Sequence, residues 1–212
     1  MAHTFSSPFE PASAEDAADL DAAYDALVLH LRRLGVGEAA PTVGAPFPRL
    51  SLPDLRGVFQ TIEVSPTAGP LVVSFIRGAW CPYCLDELDS WRQVLPSLHE
   101  AGGRLVIVTA EIGDNAPALR VLEALGALVV CDVDHGAALA CGLAFYIGAE
   151  IERRYRGIGL DLEKLNGSTS GFLPAPATFV LGSDGIVRYA FVDVDFRLRA
   201  YPPDVVEIAS RL

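Results

Sequence analysis

An apolar, β-branched run, Leu71-Val72-Val73-Ser74-Phe75-Ile76, leads within a few residues to Trp80-Cys81-Pro82-Tyr83-Cys84. No other stretch restricts the fold so strongly. Gly69-Pro70 and Gly78 bound the run, which reads as a buried strand. Beyond the cysteines Leu85, Leu88, Trp91, Leu95 and Leu98 recur at helical spacing. The cysteine pair therefore sits where a buried strand hands over to a helix. Pro82 suits the first helical position because it has no N–H to leave unpaired, which makes Cys81 the cap residue. Free backbone N–H groups and the positive end of the helix dipole both favour a thiolate there. Thiolates, not thiols, are the attacking and metal-binding form of cysteine.

Geometry limits how the pair can act. Cβ atoms three apart inside a helix are about 5–6 Å apart, whereas a disulfide wants roughly 3.5–4.5 Å. Cys81 and Cys84 can bridge only if Cys81 stands at the cap, where the backbone leaves the helix. The competing readings are a zinc half-site and two ordinary buried thiols. A Cys-x-x-Cys pair in a βαβ context favours redox use. The spacing of Cys131 and Cys141 does not complete a four-cysteine zinc site, so no metal is expected.

A chain of 212 residues can bury a full core, and a hydrophobic share of 51% with 20% charged residues fits an ordered globular protein. The formal net charge of -11 argues against nucleic acid or an anionic membrane as partner. No apolar run approaches the length of a membrane span. The N-terminus lacks the basic-then-apolar layout of a secretory leader, so a cytoplasmic protein is expected.

Residues 1–40 divide into a polar, proline-punctuated arm and a helix. The helix starts at Ser13-Ala14-Glu15-Asp16, carries Leu20, Tyr24, Leu27 and Leu31 on one face, and ends at Gly35 or Gly37. It reads as a packing or dimer-forming extension, which puts a homodimer among the expected assemblies. Residues 41–212 form the main domain. Its prolines between Pro41 and Gly57 predict a short edge strand or hairpin, and Ile62-Glu63-Val64 a further strand. Arg104–Thr109 and Ala127–Cys131 are predicted strands. A helix capped by Asp114 or Asn115 runs through Leu125, and another spans Asp132 to Leu143. Pro96 should kink the helix after the dithiol rather than end it. Strands alternating with helices imply βαβ units and a parallel core. Residues 144–175 are an insertion in which Arg153, Arg154 and Arg156 read as a solvated face around Tyr155. Pro174–Leu181 and Ile186–Val192 flank a Gly182-Ser183-Asp184-Gly185 turn and predict a hairpin, followed by a helix from Asp204. His99 and His135 read as structural or solvent-facing.

Trp80-Cys81-x-x-Cys84 resembles the thioredoxin active site, and Cys-Pro-Tyr-Cys resembles the glutaredoxin dithiol. The longer stretch Arg77–Leu88 resembles the peroxiredoxin-like branch of the alkyl hydroperoxide reductase/thiol-specific antioxidant (AhpC/TSA) family, within the thioredoxin-like superfamily. The family pattern Pro-x-x-x-Thr-x-x-Cys-x-x-Glu places Cys84 on the peroxidatic position and Glu87 on the glutamate. Arg77 then stands where the proline belongs, and Cys81 where the threonine belongs. The resemblance implies a thioredoxin-like α/β fold with a central mixed sheet and helices on both faces. It implies a redox enzyme without a cofactor that reduces hydroperoxides or disulfides through an intramolecular Cys81–Cys84 disulfide. An external thiol system of thioredoxin, glutaredoxin or glutathione type would reduce that disulfide. The alternatives are a protein disulfide reductase, and a non-catalytic redox sensor or binding module.

The thioredoxin-like pattern also implies a cis bond between Ala175 and Pro176, which with Trp80, Pro82 and Tyr83 would form a substrate groove. Pro176 occupies the place of the family's arginine, so Arg77 is the candidate to supply the charge; otherwise it is a strand-end arginine in water. Ser74 falls about where thioredoxins keep a buried acid. That leaves Glu87 as a structural or proton-relay group, or as a solvated first-turn acid. The two alignments disagree on the nucleophile. The cap position favours Cys81 for disulfides, and for peroxides both cysteines remain candidates.

Overall fold

The computed structural model describes residues 5, 7, 9, 11, 13–64, 69–112 and 116–212. In chain order these form α1 (Ala14–Arg33), β1 (Leu50–Pro53), β2 (Phe59–Ile62), β3 (Leu71–Phe75), α2 (Pro82–Glu100), β4 (Arg104–Thr109), α3 (Pro117–Ala124) and β5 (Leu128–Cys131). There follow α4 (Gly136–Ala140), β6 (Ala144–Tyr146), α5 (Ala149–Gly157), α6 (Leu162–Asn166), β7 (Phe172–Pro174), β8 (Ala177–Leu181), β9 (Val187–Val192) and α7 (Pro202–Ala209).

The central sheet is mixed, in the order β5-β4-β3-β8-β9. β3, β4 and β5 are parallel, while β8 and β9 form an antiparallel hairpin beside β3. Val73 is paired with both Val106 and Phe179, so β3 lies in the middle with every residue buried. That explains its unbroken apolar run. A central strand has no wet face, and alternation disappears. The crossovers β3-α2-β4 and β4-α3-β5 step in the same direction. Right-handed connections therefore put α2 and α3 on one face, where α2 also packs against α7. The other face buries Val73, Phe75 and Phe179, with the Phe47 ring 5.2 Å from that of Phe179.

α2 carries the pattern that placed it. Leu85, Leu88, Trp91, Leu95 and Leu98 are all buried, and the helix runs through Pro96 to Glu100. Leu88→Ala should cost about 2–5 kcal/mol, because the close-packed surroundings fill such a hole only partly. Urea unfolding should show it as a lower midpoint at unchanged slope.

Local signals account for most boundaries. Ser13 caps α1 by accepting the Asp16 N–H at 3.1 Å. Asp54 Oδ1 accepts the N–H groups of Arg56 and Val58 at 2.9 and 3.0 Å, which fixes the Asp-x-x-Gly turn between β1 and β2. Several expectations are corrected. The second strand of that hairpin is Phe59–Ile62, not Ile62–Val64, since Leu50 pairs with Ile62. α3 starts at Pro117 after Ala116, while Asp114 and Asn115 lie outside the described residues. α4 is confined to Gly136–Ala140 because the Asp132 carboxylate accepts the N–H groups of Ala137 and Ala138 at 2.9 and 2.8 Å, holding the turn before it. The stretch 144–175 contains its own antiparallel pair, β6 with β7.

The expected cis bond at Ala175–Pro176 is also corrected: among the described residues every peptide is trans. Both residues are tied into the sheet path. The Ala175 N–H donates to the Leu143 carbonyl at 2.8 Å, and the Pro176 carbonyl accepts the Asp193 N–H at 3.3 Å.

Candidate active site

β3 delivers the chain to the site, and Gly78 lets it turn. Gly78 has φ +147, and a Cβ there would stand 2.3 Å from the Trp80 indole nitrogen. Only glycine gives both the backbone conformation and the room. Glu111, just past the end of β4, fixes the next residue by accepting the Ala79 N–H at 2.7 Å. Cys81 then takes the cap position of α2 with φ -86 and ψ 124, and Pro82 opens the helix. Cys81 is 1% exposed and Cys84 is fully buried; both are unbridged thiols.

Two arginines serve the two sulfurs. Arg77 is 1% exposed, not a strand-end residue in water, and its Nη1 lies 3.7 Å from Cys81 Sγ. Its Nη2 donates to Tyr155 Oη. Its guanidinium packs 3.8 Å from the Phe196 ring centre and 4.9 Å from that of Trp80. Arg199 donates from Nη2 to Cys84 Sγ at 3.3 Å and from Nη1 to Glu87 Oε2 at 2.9 Å. The Phe196 carbonyl accepts from Arg199 Nε at 3.0 Å and from Nη2 at 2.8 Å, which aims the fork inward.

Glu87 is buried, which corrects its reading as a solvated first-turn acid. Its Oε1 accepts from Ser74 Oγ at 2.6 Å and from Trp91 Nε1 at 3.3 Å. Ser74 thus does not replace a buried acid; it holds one that comes from the helix. Burial pushes the Glu87 carboxyl up, against the pull of Arg199 and Ser74.

The sulfurs share one proton unequally. Burial pushes the Cys81 thiol up, but the hydrogen bond from Cys84 and the charges of Arg77 and Arg199 outweigh it. The net shift is down, to about 5. The cap backbone works in the same direction. Burial and the hydrogen bond it gives to Cys81 push the Cys84 thiol up. Arg199 lies closer to Cys84 than Arg77 does to Cys81, yet it does not reverse this order, because burial and the hydrogen bond to Cys81 outweigh its charge. By contrast Cys131 is raised to about 11 and Cys141 to about 12, in each case by burial first and then by neighbouring carboxylates. Both are protonated at neutral pH.

A cavity of about 270 Å³ opens onto Cys81, with Arg77, Trp80, Pro82 and Tyr83 in its wall. Ala175 and Pro176 do not line it. Much of the wall comes from residues outside the expected groove, among them Tyr24 of α1, Tyr155 of α5, and Phe196 beyond β9. Arg199 was likewise not singled out. It follows Arg197, which pairs with Asp195 and Asp25, and nothing local separates the two arginines. The arginines around Tyr155 do form ion pairs on a partly exposed helix face, as expected. His99 is exposed; His135 is buried, at φ 57. Among the described residues no group of three or more potential ligands could hold a metal ion, and no helix is long and apolar enough to cross a membrane.

Similarity to known proteins agrees with this architecture. Peroxidoxin BcpB from Mycobacterium tuberculosis superposes with a TM-score of 0.55 at 18% identity, over 81% of this chain and 97% of that one. Peroxiredoxin Q of Xanthomonas campestris does so with a TM-score of 0.53 at 18% identity, over 82% and 98%. AhpC of Mycobacterium tuberculosis gives 0.52 at 16%, over 80% and 92%. At these identities the likeness establishes a shared thioredoxin-type fold. No curated protein sequence matches significantly. Residues 43–190, most of the chain, match the AhpC/TSA family. The chain is a peroxiredoxin-like member of the AhpC/TSA family of oxidoreductases.

Proposed function

We propose that the protein is a thiol peroxidase in which Cys81 attacks and Cys84 resolves. The observation that carries this is Cys81 itself. Its thiol is pushed down to about 5, and it lies, 1% exposed, on the wall of a cavity between Arg77 and the start of α2. A hydroperoxide fits such a cavity, while a disulfide on a folded protein would not reach a sulfur that is 1% exposed. The Cys81 thiolate attacks the terminal peroxide oxygen and the O–O bond breaks. The leaving alkoxide or hydroxide takes up a proton, and Cys81 becomes a sulfenic acid. Cys84 Sγ then attacks Cys81 Sγ, and the hydroxyl departs as water with the Cys84 proton. An external dithiol reduces the resulting disulfide by exchange and is itself oxidised. Arg77 supports the first thiolate, and the Arg199–Glu87 pair holds the resolving thiol.

The test is peroxide consumption beside protein-disulfide reduction, each with an excess of a regenerating dithiol. Hydroperoxide should turn over and the protein disulfide should not. One equivalent of peroxide should produce a Cys81–Cys84 linkage by peptide mass spectrometry, and in Cys84→Ser a single added oxygen on Cys81. Oxidation once without turnover would make the protein a sensor. Added oxygen on Cys84 in Cys81→Ser, with turnover kept, would reverse the two roles.

A further inference from the structure

We propose that the cavity over Cys81 is a recognition site for an aryl group, and that neutral aryl-substituted hydroperoxides are the preferred substrates over hydrogen peroxide. This rests on the peroxidase reading and specifies its substrate.

Size is the first argument. A peroxidase for hydrogen peroxide needs room for two oxygens. An apolar cavity of about 150 Å³ already takes up benzene, and this one measures about 270 Å³. Its wall is the second. Six rings line it, those of Phe9, Tyr24, Trp80, Tyr83, Tyr155 and Phe196. Several already meet edge to face: Tyr24 and Phe196 at 4.7 Å between centres, Trp80 and Tyr155 at 5.5 Å. Such edge-and-face surfaces are complementary to another ring. The origin of the wall is the third. Leu20 and Tyr24 come from α1, and Phe196 from beyond β9, so all three stand outside the family-matched residues 43–190. Half of the six rings, those of Phe9, Tyr24 and Phe196, are thus contributed from outside the family-matched residues.

The polar groups complete the site. Arg77 Nε is buried without a hydrogen-bond partner, in a side chain that borders the cavity beside Cys81. It can donate to the oxygen that becomes the alkoxide when the thiolate takes the terminal oxygen. Protonation from water then releases the aryl alcohol. Asp21 and Asp86 also border the cavity and are exposed, so the approach carries carboxylates that disfavour anionic hydroperoxides such as those of free fatty acids.

The experiment compares kcat/KM for cumene hydroperoxide, hydrogen peroxide and a fatty-acid hydroperoxide on the full chain and on Leu20→Phe, which pushes a ring into the cavity. The wild type should prefer cumene hydroperoxide at least tenfold over either competitor, and Leu20→Phe should lower that preference tenfold. Independently of turnover, 2-phenyl-2-propanol, the alcohol product, should bind Cys81→Ser and change its tryptophan fluorescence, and binding should weaken in Leu20→Phe/Cys81→Ser. Equal rates on cumene hydroperoxide and hydrogen peroxide, with no alcohol binding, would overturn the aryl site and leave the peroxidase reading standing. Alcohol binding without turnover of any hydroperoxide would overturn the peroxidase reading, and the substrate assignment with it.

Discussion

Cys81→Ser should lower hydroperoxide turnover by roughly three orders of magnitude or more, the scale on which removing an enzyme's nucleophile acts. The same variant should lose the low-pH phase of iodoacetamide alkylation, while Cys84→Ser keeps it. In the reduced wild type that phase should have its midpoint near the Cys81 value of about 5. An ordinary cysteine titrates near 8.5. The folded state therefore prefers the thiolate, and this contribution to stability is complete above the ordinary thiol range. It is lost as pH falls through about 5. Reduced wild type should gain stability relative to Cys81→Ser as pH rises across that window. The Cys84 thiol, pushed up instead, contributes with the opposite sign only above the ordinary thiol range. A low-pH phase that survives in Cys81→Ser and disappears in Cys84→Ser would move the nucleophile one turn into the helix. A midpoint near 8.5 in both would remove the activated thiolate from the mechanism.

The part of this site legible in the sequence is the part built by neighbours along the chain. Pro82 places Cys81 at a cap because proline's missing N–H costs nothing there. The leucines of α2 repeat at 3.6 residues because one helix face is buried. β3 shows an unbroken apolar run because both its faces are covered. Arg77 lies only four residues before Cys81, but the residue that anchors it and the second arginine arrive from far away. Tyr155 reaches Arg77 across 78 positions, and Arg199 reaches Cys84 across 115. Neither has a periodicity or a capping pattern that points to a partner. Arg197 and Arg199 differ only in which way the backbone turns them, one toward Asp25 and the other toward Glu87. Glu87 shows the same limit in another form. It stands in the second turn of α2, one turn past Cys84. An acid near a helix start is common because the helix dipole favours it, so its position alone does not reveal that Ser74, Trp91 and Arg199 enclose it. The β1–β2 hairpin was displaced for a different reason. Phe59 is exposed at an edge, so the apolar-in, polar-out alternation used to place a strand fails there.

Arg199→Met should destabilise the protein by about 3–5 kcal/mol at neutral pH, because it strands the Glu87 carboxylate in a buried site without its counter-charge. Side-chain exposures of 10% for Arg199 and 2% for Glu87 leave little solvent to compensate. Adding Glu87→Gln should recover most of the loss, since a neutral amide can still accept from Ser74 and Trp91. The pH dependence gives a second check. Burial already holds the Glu87 pKa above its ordinary value, and removing Arg199 removes a group that pulls it down. The variant's carboxyl then stays protonated to higher pH than in the wild type, and the deficit comes from charging it. That deficit should shrink as pH falls through the carboxyl range and return as pH rises. Cys81 alkylation should still occur in Arg199→Met, because Arg77 and the hydrogen bond from Cys84 remain. Formation of the Cys81–Cys84 disulfide after a pulse of peroxide should slow, because Arg199 no longer lowers the pKa of the resolving thiol. A variant as stable as wild type at neutral pH, or a double variant no better than Arg199→Met, would show that Glu87 is not held as a carboxylate by Arg199. An unchanged rate of disulfide formation would separate the pair from the resolving step.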